Sequence, residues 1–216
     1  MPRATAEKRA AFRALHESGC FILPNPWDIG SAKYLASLGF KALATTSSGF
    51  AWSTGRADNH VTREIILAHL SAIVAATDLP VNADFENGFG ATPDEVAQNV
   101  TLGIATGVAG LSIEDSTGNA ASPLRPIDAA AQRIAAARRA IDQNGGDTLL
   151  VGRAENFVVG VQDLDDAIAR LKAYADAGAD CLYAPGIKTR EQIEAVVAAV
   201  APKPVNVLAI NTEITL

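Results

Sequence analysis

Short apolar runs alternate with longer amphipathic stretches along the chain, and this alternation is the strongest indication of its fold. A run of three or four apolar residues is typical of a strand that is buried on both faces. Seven such runs are predicted as strands, at 20–23, 42–45, 81–83, 110–113, 149–152, 181–183 and 205–208.

Helices are predicted in the gaps between these strands, after a mixed-charge helix near the N terminus. Four stretches have the helical period, at 28–38, 62–76, 127–144 and 163–177. Thr92 followed by Pro93 and two acids is typical of a helix N terminus. Gly39, Gly107 and Gly178 stand where a left-handed residue ends a helix.

Strands that are separated by single helices run parallel, and seven in succession favour a closed barrel over an open sheet. The fold prediction is therefore α/β, a TIM-type (β/α)8 barrel in one domain, residues 1–216. A doubly wound nucleotide-binding sheet would need a glycine-rich turn after its first strand, but Pro24-Asn25-Pro26 stands there.

The sequence ends at Leu216, shortly after the seventh predicted strand, so we expect a barrel without its eighth strand and terminal helices. An incomplete barrel exposes strand edges and apolar surface. Either a neighbouring subunit covers the gap or the sequence is a truncated form, and of the two we expect a homo-oligomer, either a dimer or a tetramer.

Composition narrows the class of protein. Of the 216 residues, 49% are hydrophobic and 19% charged, which is typical of a packed globular chain and excludes disorder as its main state. The net charge of −6 argues against nucleic acid as a partner. Two cysteines are too few for a disulfide framework, and no apolar stretch is long enough to span a membrane, so we expect a cytoplasmic protein.

Polar side chains collect directly after the predicted strands, where the mouth of an α/β barrel lies. They occupy 45–49, 84–90, 114–115, 153–156 and 211–213. Asp84, Glu86 and Glu114 would meet there, and three carboxylates that close cannot all stay ionised without a cation between them. The scarcity of protein oxygens favours Mg²⁺ over Ca²⁺, and the absence of Cys or His nearby argues against zinc.

Each of these residues also has a structural interpretation. Asp84 and Glu86 are also typical of solvated loop acids, and Arg153 could be a counter-ion to Glu155 or Asp115. A buried guanidinium near a metal, however, suits a substrate carboxylate or enolate oxygen, so we favour that role for Arg153.

The order Ser48-Gly49, Asp58, Asp84-x-Glu86-x-Gly88-x-Gly90, Glu114-Asp115 and Arg153-x-Glu155 resembles the isocitrate lyase and phosphoenolpyruvate mutase superfamily over nearly the whole chain. The resemblance implies an α/β barrel that binds Mg²⁺ and small 2-oxo acids or their enol forms, usually as a tetramer that exchanges its last helix.

The resemblance also implies a role for each residue. Ser48 and Gly49 would hold a substrate carboxylate, and Arg153 would steady the substrate oxygen. The metal ligands, direct or through water, would be Asp84, Glu86 and Glu114. Asp58 would lie near the reacting centre, although an exposed loop acid is the alternative. Glu155 and Asn206 are assigned to the substrate site.

Several positions depart from the lyase pattern. The lyases carry a catalytic cysteine in the loop after the fourth strand, but 116–123 has none, and Tyr183 stands where they have a glutamate. Many mutases have an aromatic residue shortly before the Ser-Gly pair, where this chain has Thr46. The family's second metal-binding aspartate is replaced by Glu86 in this chain. The loop 116–126 is expected to be a mobile lid, or else a plain surface loop, with Asn119 as a polar substitute for the cysteine.

Three functions stay open on this basis. The first is C–C bond lyase or decarboxylase chemistry through a metal-stabilised enolate. The second is P–C bond chemistry of the phosphoenolpyruvate mutase or phosphonopyruvate hydrolase type. The third is a non-catalytic relative that binds a keto acid or a protein partner.

Overall fold

Six parallel strands form the inner layer of the protein in the computed structural model, which describes residues 3–209. They are β1 (Leu43–Ala44), β2 (Val81–Asp84), β3 (Gly110–Glu114), β4 (Leu149–Arg153), β5 (Cys181–Tyr183) and β6 (Val205–Asn206). Each strand pairs with the next one along the chain, in the order β1 to β6. The α/β prediction is confirmed, and the curled sheet corresponds to a partial TIM-type barrel.

Eight helices surround the strands in the described range. They are α1 (Thr5–Leu15), α2 (Ile29–Ser37), α3 (Ser47–Ser53), α4 (Arg63–Ala76), α5 (Pro93–Ala105), α6 (Ile127–Gln143), α7 (Leu164–Asp176) and α8 (Arg190–Val200). The four stretches that were predicted as helices are confirmed to within a residue or two at each end. Among residues 3–209, no helix combines the length and the apolar character that a membrane crossing requires.

Capping chemistry explains where these helices begin and end. Thr92 accepts a hydrogen bond from the Glu95 amide and caps α5, as the sequence predicts. Gly39, Gly107 and Gly178 have φ angles of 88°, 89° and 103°, the left-handed conformation that glycine adopts without steric cost.

The prediction of a first strand at 20–23 is wrong. This segment has no ladder, and Cys20 is exposed rather than buried. Its neighbour Pro24 accepts one hydrogen bond from the Ala44 amide at 3.0 Å, but Pro24 and Pro26 have no N–H to continue the pairing. The sequence did not predict the helix α3. The polar group 211–213, which the sequence assigned to the mouth, lies outside the described residues.

Helix α1 closes the barrel at the amino ends of the strands. Its buried Phe12 packs inside the barrel against Ala42, Ala109 and Leu149. Arg9 donates to the carbonyl oxygens of Val108 (3.0 Å) and, through Nη2, Ile104 (2.9 Å), just before β3 begins. Since this end is filled, the open end of the barrel is the carboxyl end of the strands.

A groove on the outside of the barrel contains an unusual histidine. The half-buried ring of His69, on α4, stacks on Phe50 with a centroid distance of 3.7 Å, and its buried Nε2 has no hydrogen-bond partner. Burial lowers the pKa of His69 to about 4, although the negative charge of Asp28 opposes this shift. His69 is therefore neutral in the folded protein at pH 6.

We expect His69 to make the protein less stable as the pH falls from 6.5 to 4. In that window the unfolded chain binds a proton that the folded ring does not, so proton binding stabilises the unfolded state relative to the folded one. We expect a loss of about 1 kcal/mol after solvent screening, or about 2–4 °C in Tm.

Thermal melts of the wild type and His69→Phe at pH 6.5 and 4.5 measure this effect, because Phe keeps the stacking but cannot titrate. The exposed His60→Gln is the control and should melt as the wild type does. Equal pH dependence in wild type and His69→Phe would contradict the assignment.

Candidate active site

Arg153, at the end of β4, gathers carboxylates from several strand ends at the open mouth. Its Nη1 donates to Asp84 Oδ1 at 3.3 Å and lies 3.6 Å from Glu114 Oε2. Its Nε donates to the carboxylate of Glu155. The parallel register places Glu114 directly opposite Arg153, which is why side chains from separate strands meet here.

Glu86 completes this acidic group, which we call the mouth cluster: Asp84, Glu86, Glu114, Arg153 and Glu155. Burial raises the pKa of Glu86 to about 8, and the charges of Asp84 and Asp58 add to the rise. Burial also raises the pKa of Glu114 well above its ordinary value, against the opposing charge of Arg153. One guanidinium therefore shares the mouth with four carboxyl groups, and burial favours the neutral, protonated forms of Glu86 and Glu114.

The loop after β2 aims Glu86 through an unusual backbone. Glu86, Gly88 and Phe89 have φ angles of 46°, 81° and 54°. Left-handed conformations at non-glycine residues cost about 1–3 kcal/mol each and persist only where the surroundings enforce them. A Cβ on Gly90 would lie 2.7 Å from the backbone nitrogen of Val96, so only glycine fits there.

Asp84 is oriented by α3, which follows β1. The amide and hydroxyl of Ser47 both donate to Asp84 Oδ2, at 3.0 and 2.8 Å. The Asp84 amide in turn donates to Thr45 Oγ1 at 2.9 Å. Sequence reasoning missed Ser47, although it belongs to the polar group 45–49 that was assigned to the mouth.

Ser48 and Gly49 lie in the same helix, beside Ser47. The Gly49 amide donates to Thr46 Oγ1 at 3.1 Å, and that oxygen lies 3.2 Å from Ser48 Oγ. The Gly49 N–H is thus already engaged in capping α3. Binding of a substrate carboxylate by this pair stays a prediction.

Asp58 and Asn119 lie in exposed segments near the mouth. The negative charge of Asp58 adds to the raised pKa of Glu86, after burial and the charge of Asp84. Asn119 lies in a loop that Ser116 and Leu124 close as an antiparallel bridge. Its Oδ1 accepts from the Ala121 amide at 3.0 Å, so in this conformation the carboxamide is engaged within its own turn.

Tyr183 forms one wall of the mouth beneath Arg153. It pairs with Arg153 in the register of β4 and β5, and the guanidinium carbon lies 5.3 Å from its ring centroid. Burial raises the pKa of Tyr183 to about 12, so its hydroxyl keeps its proton near neutral pH. Asn206, half-buried on β6, is the next residue along this edge, opposite Tyr183.

Asp115 is held in a separate network beneath the mouth cluster. It accepts from Arg170 Nη1 at 3.1 Å, from the Tyr174 hydroxyl at 2.5 Å and from the Glu155 amide at 2.9 Å. Arg170 is therefore the counter-ion of Asp115. The sequence suggested Glu155 or Asp115 as a counter-ion of Arg153, and in the structure Arg153 pairs with Glu155.

The mouth cluster fits a hard divalent cation. Its donors are carboxyl oxygens, the ligands that Mg²⁺ prefers, and a bound cation would favour the ionised forms of Glu86 and Glu114 over the neutral forms that burial favours. Within residues 3–209, no three His, Cys, Asp or Glu side chains are grouped so that they could hold an ion as they stand. The set suits an ion that takes few protein ligands and completes its shell with water.

Comparison with known proteins places the chain among lyases and mutases by both sequence and structure. The family model described as phosphoenolpyruvate phosphomutase matches residues 12–216. A crystal structure from Burkholderia cenocepacia J2315, provisionally described as a lyase/mutase, is 50% identical with a TM-score of 0.94. The match covers 98% of this chain and 77% of that one.

Two further solved structures contain a small carboxylate. Oxaloacetate acetylhydrolase in complex with its product oxalate is 30% identical, with a TM-score of 0.85, over 95% of this chain and 72% of that one. Phosphonopyruvate hydrolase in complex with oxalate and Mg²⁺ is 27% identical, with a TM-score of 0.82, over 93% of this chain and 71% of that one.

Proposed function

Because the chain belongs to the phosphoenolpyruvate mutase and isocitrate lyase superfamily, which includes lyases and mutases, we propose that it is a Mg²⁺-dependent lyase. Its substrate is a small 2-oxo acid, and it cleaves a C–C bond or removes a carboxylate through an enolate. The observation that carries this proposal is the mouth cluster, where one fixed guanidinium lies among four carboxyl groups.

Arg153 stabilises the negative charge that develops on the substrate oxygen. Its guanidinium is always protonated, and Asp84 and Glu155 fix its direction through Nη1 and Nε. A preorganised donor of this kind loses little free energy to reorganisation during the reaction. The phenol ring of Tyr183 supports the guanidinium from the other side.

Asp84, Glu86 and Glu114 would hold Mg²⁺, directly or through water. The ion, when bound, supplies a Lewis acid that lowers the free energy of negative charge on the substrate's oxygens. Ser47 keeps the Asp84 carboxylate turned toward the mouth and prevents it from rotating away. Glu86 contributes the same charge as an aspartate but reaches one methylene further.

The oxalate bound together with Mg²⁺ in phosphonopyruvate hydrolase supports an enolate as the intermediate. Oxalate is a planar anion with oxygens on adjacent carbons, and the enolate of pyruvate has the same arrangement. Ser48, Gly49 and Asn206 are proposed to bind the substrate carboxylate. Asp58 is proposed to lie near the reacting centre, and Asn119 is proposed to reach it when loop 116–126 closes.

P–C bond chemistry is the second candidate. The similarity to phosphonopyruvate hydrolase and the lack of a cysteine in 116–123 favour it. Arg125 is the only basic residue in 116–126, and so few cations disfavour binding of a phosphonate dianion. A non-catalytic keto-acid-binding protein is the third candidate.

A panel of oxaloacetate, a 2-methylmalate-type acid and phosphonopyruvate tests these candidates, each with Mg²⁺ and with EDTA. We expect turnover of a carbon acid that EDTA abolishes and Mg²⁺ restores. Phosphate release from phosphonopyruvate alone would support the second candidate. Binding without turnover of any compound would support the third candidate. Turnover that EDTA does not reduce would contradict the proposed dependence on Mg²⁺.

We propose in addition that the protein is a cytoplasmic homo-oligomer, either a dimer or a tetramer. The exposed apolar side chains Trp27, Tyr34 and Trp52 support an association of subunits. Sedimentation of the purified protein tests this, and a strictly monomeric folded species would contradict it.

A further inference from the structure

Arg133 is a buried cation without an acidic partner among residues 3–209. It lies on the apolar face of α6, is 3% exposed, and forms no ion pair there. Its guanidinium instead donates to three backbone carbonyls of a single loop: Asn87 O at 2.7 Å, Gly90 O at 2.6 Å and Ala91 O at 3.3 Å. Burial lowers its pKa to about 10, so it remains charged at neutral pH.

That loop is the one that carries Glu86. Two of its other carbonyls are also engaged: Glu86 O accepts from the Glu114 amide at 3.0 Å, and Gly88 O accepts from Asn99 Nδ2 at 3.0 Å. Asn99 is itself fixed by Arg63 at 2.7 Å. Arg133 supplies the largest share of these side-chain contacts, and it binds the loop on the C-terminal side of Glu86.

We propose that Arg133 is a positioning residue, which fixes the left-handed loop 86–91 and so sets where the Glu86 carboxylate lies in the mouth cluster. The inference rests on the proposed function, because it makes Arg133 a determinant of divalent-cation affinity although it touches neither ion nor substrate. A residue that orients a ligand in this way typically changes metal affinity by about 10–100-fold when it is replaced.

The guanidinium is required for its shape as well as its charge. Its planar fork reaches three carbonyls through two nitrogens, Nη1 and Nη2, whereas a lysine ammonium is a compact point charge on a flexible stem. Arg133→Lys therefore keeps the charge and one or two contacts, and it should fold. Arg133→Met keeps the length of the side chain and loses every hydrogen bond.

Arg9 offers a matched control at the opposite end of the barrel. It is also buried and donates to two backbone carbonyls, and it has a further contact with Asp147 at 3.0 Å. Arg9→Met removes bonds of the same kind without touching the mouth. A loss of general stability therefore affects both variants, and a loss of loop position affects only Arg133.

Two measurements on the purified full chain test the proposal: Mn²⁺ binding followed by electron paramagnetic resonance, and amide hydrogen exchange of residues 86–91. We expect Arg133→Lys to bind Mn²⁺ about 10-fold more weakly than the wild type. We also expect faster exchange in 86–91, whereas Arg9→Met keeps wild-type affinity and wild-type exchange in that loop.

Unchanged exchange in 86–91 in both Arg133 variants would overturn the proposal, whatever the metal result. Faster exchange with unchanged Mn²⁺ affinity would also overturn it, because the loop would then not set the ligand position. If the wild type binds no Mn²⁺, the proposed metal-dependent function fails. Loop exchange then still decides whether Arg133 positions Glu86.

Discussion

Asp84→Asn lowers kcat/KM for the 2-oxo acid by about 10³-fold and leaves the fold intact. Asp84 is the one carboxylate that both Ser47 and Arg153 engage, so it lies at the centre of the mouth cluster. Asparagine keeps the shape and an acceptor oxygen for Ser47 but loses the charge that orients Arg153 and attracts a cation. The interaction of a metal with developing charge supplies several kcal/mol, which corresponds to this fold-change.

Steady-state kinetics with saturating Mg²⁺, together with circular dichroism, measure this effect. Asp128→Asn, an exposed acid in the first turn of α6, is the matched control and should retain wild-type kinetics. If Asp84→Asn keeps activity within about 10-fold of the wild type, the central role of Asp84 is wrong.

Asp115→Ala lowers the free energy of unfolding by about 3–5 kcal/mol. Asp115 is 1% exposed and accepts hydrogen bonds from Arg170, Tyr174 and the Glu155 amide. Its removal leaves the buried Arg170 guanidinium with Asp166 as its remaining acidic partner, and it leaves a buried hydroxyl and an N–H without an acceptor.

Urea denaturation followed by circular dichroism measures the loss. The exposed helix pair Arg190 and Glu194, 3.6 Å apart, gives a control, since Glu194→Ala should cost less than about 0.5 kcal/mol. A cost below about 1 kcal/mol for Asp115→Ala would show that water or a neighbour replaces the carboxylate.

Local chemistry allowed much of the fold to be predicted. Caps such as Thr92 and the left-handed Gly107 act within one turn of the chain, so the sequence states them directly. The strand prediction for 20–23 was wrong because only its alternate residues Phe21 and Leu23 pack in the barrel, while the prolines that follow prevent a ladder. The helix α3 was missed because its Ser-Ser-Gly start has low intrinsic helix propensity.

The candidate site was predictable at strand ends and not beyond them. Asp84, Glu114 and Arg153 follow apolar runs, and parallel strands bring such positions together. Ser47 meets Asp84 across 37 residues, and Arg133 reaches Gly90 across 43. Such pairings depend on how loops pack, and a serine or a helical arginine carries no local sign of its partner.

Because α1 closes one end of the barrel, selection for stability and selection for substrate choice act on opposite ends of the protein. Phe12 fills the end of the barrel opposite the mouth cluster, and Arg9 binds the backbone there. Replacements there would alter heat tolerance while selectivity stays as it is, and replacements in the loops at the opposite rim would do the reverse. Random mutagenesis of α1 in search of higher thermal stability therefore needs no screen for lost substrate specificity.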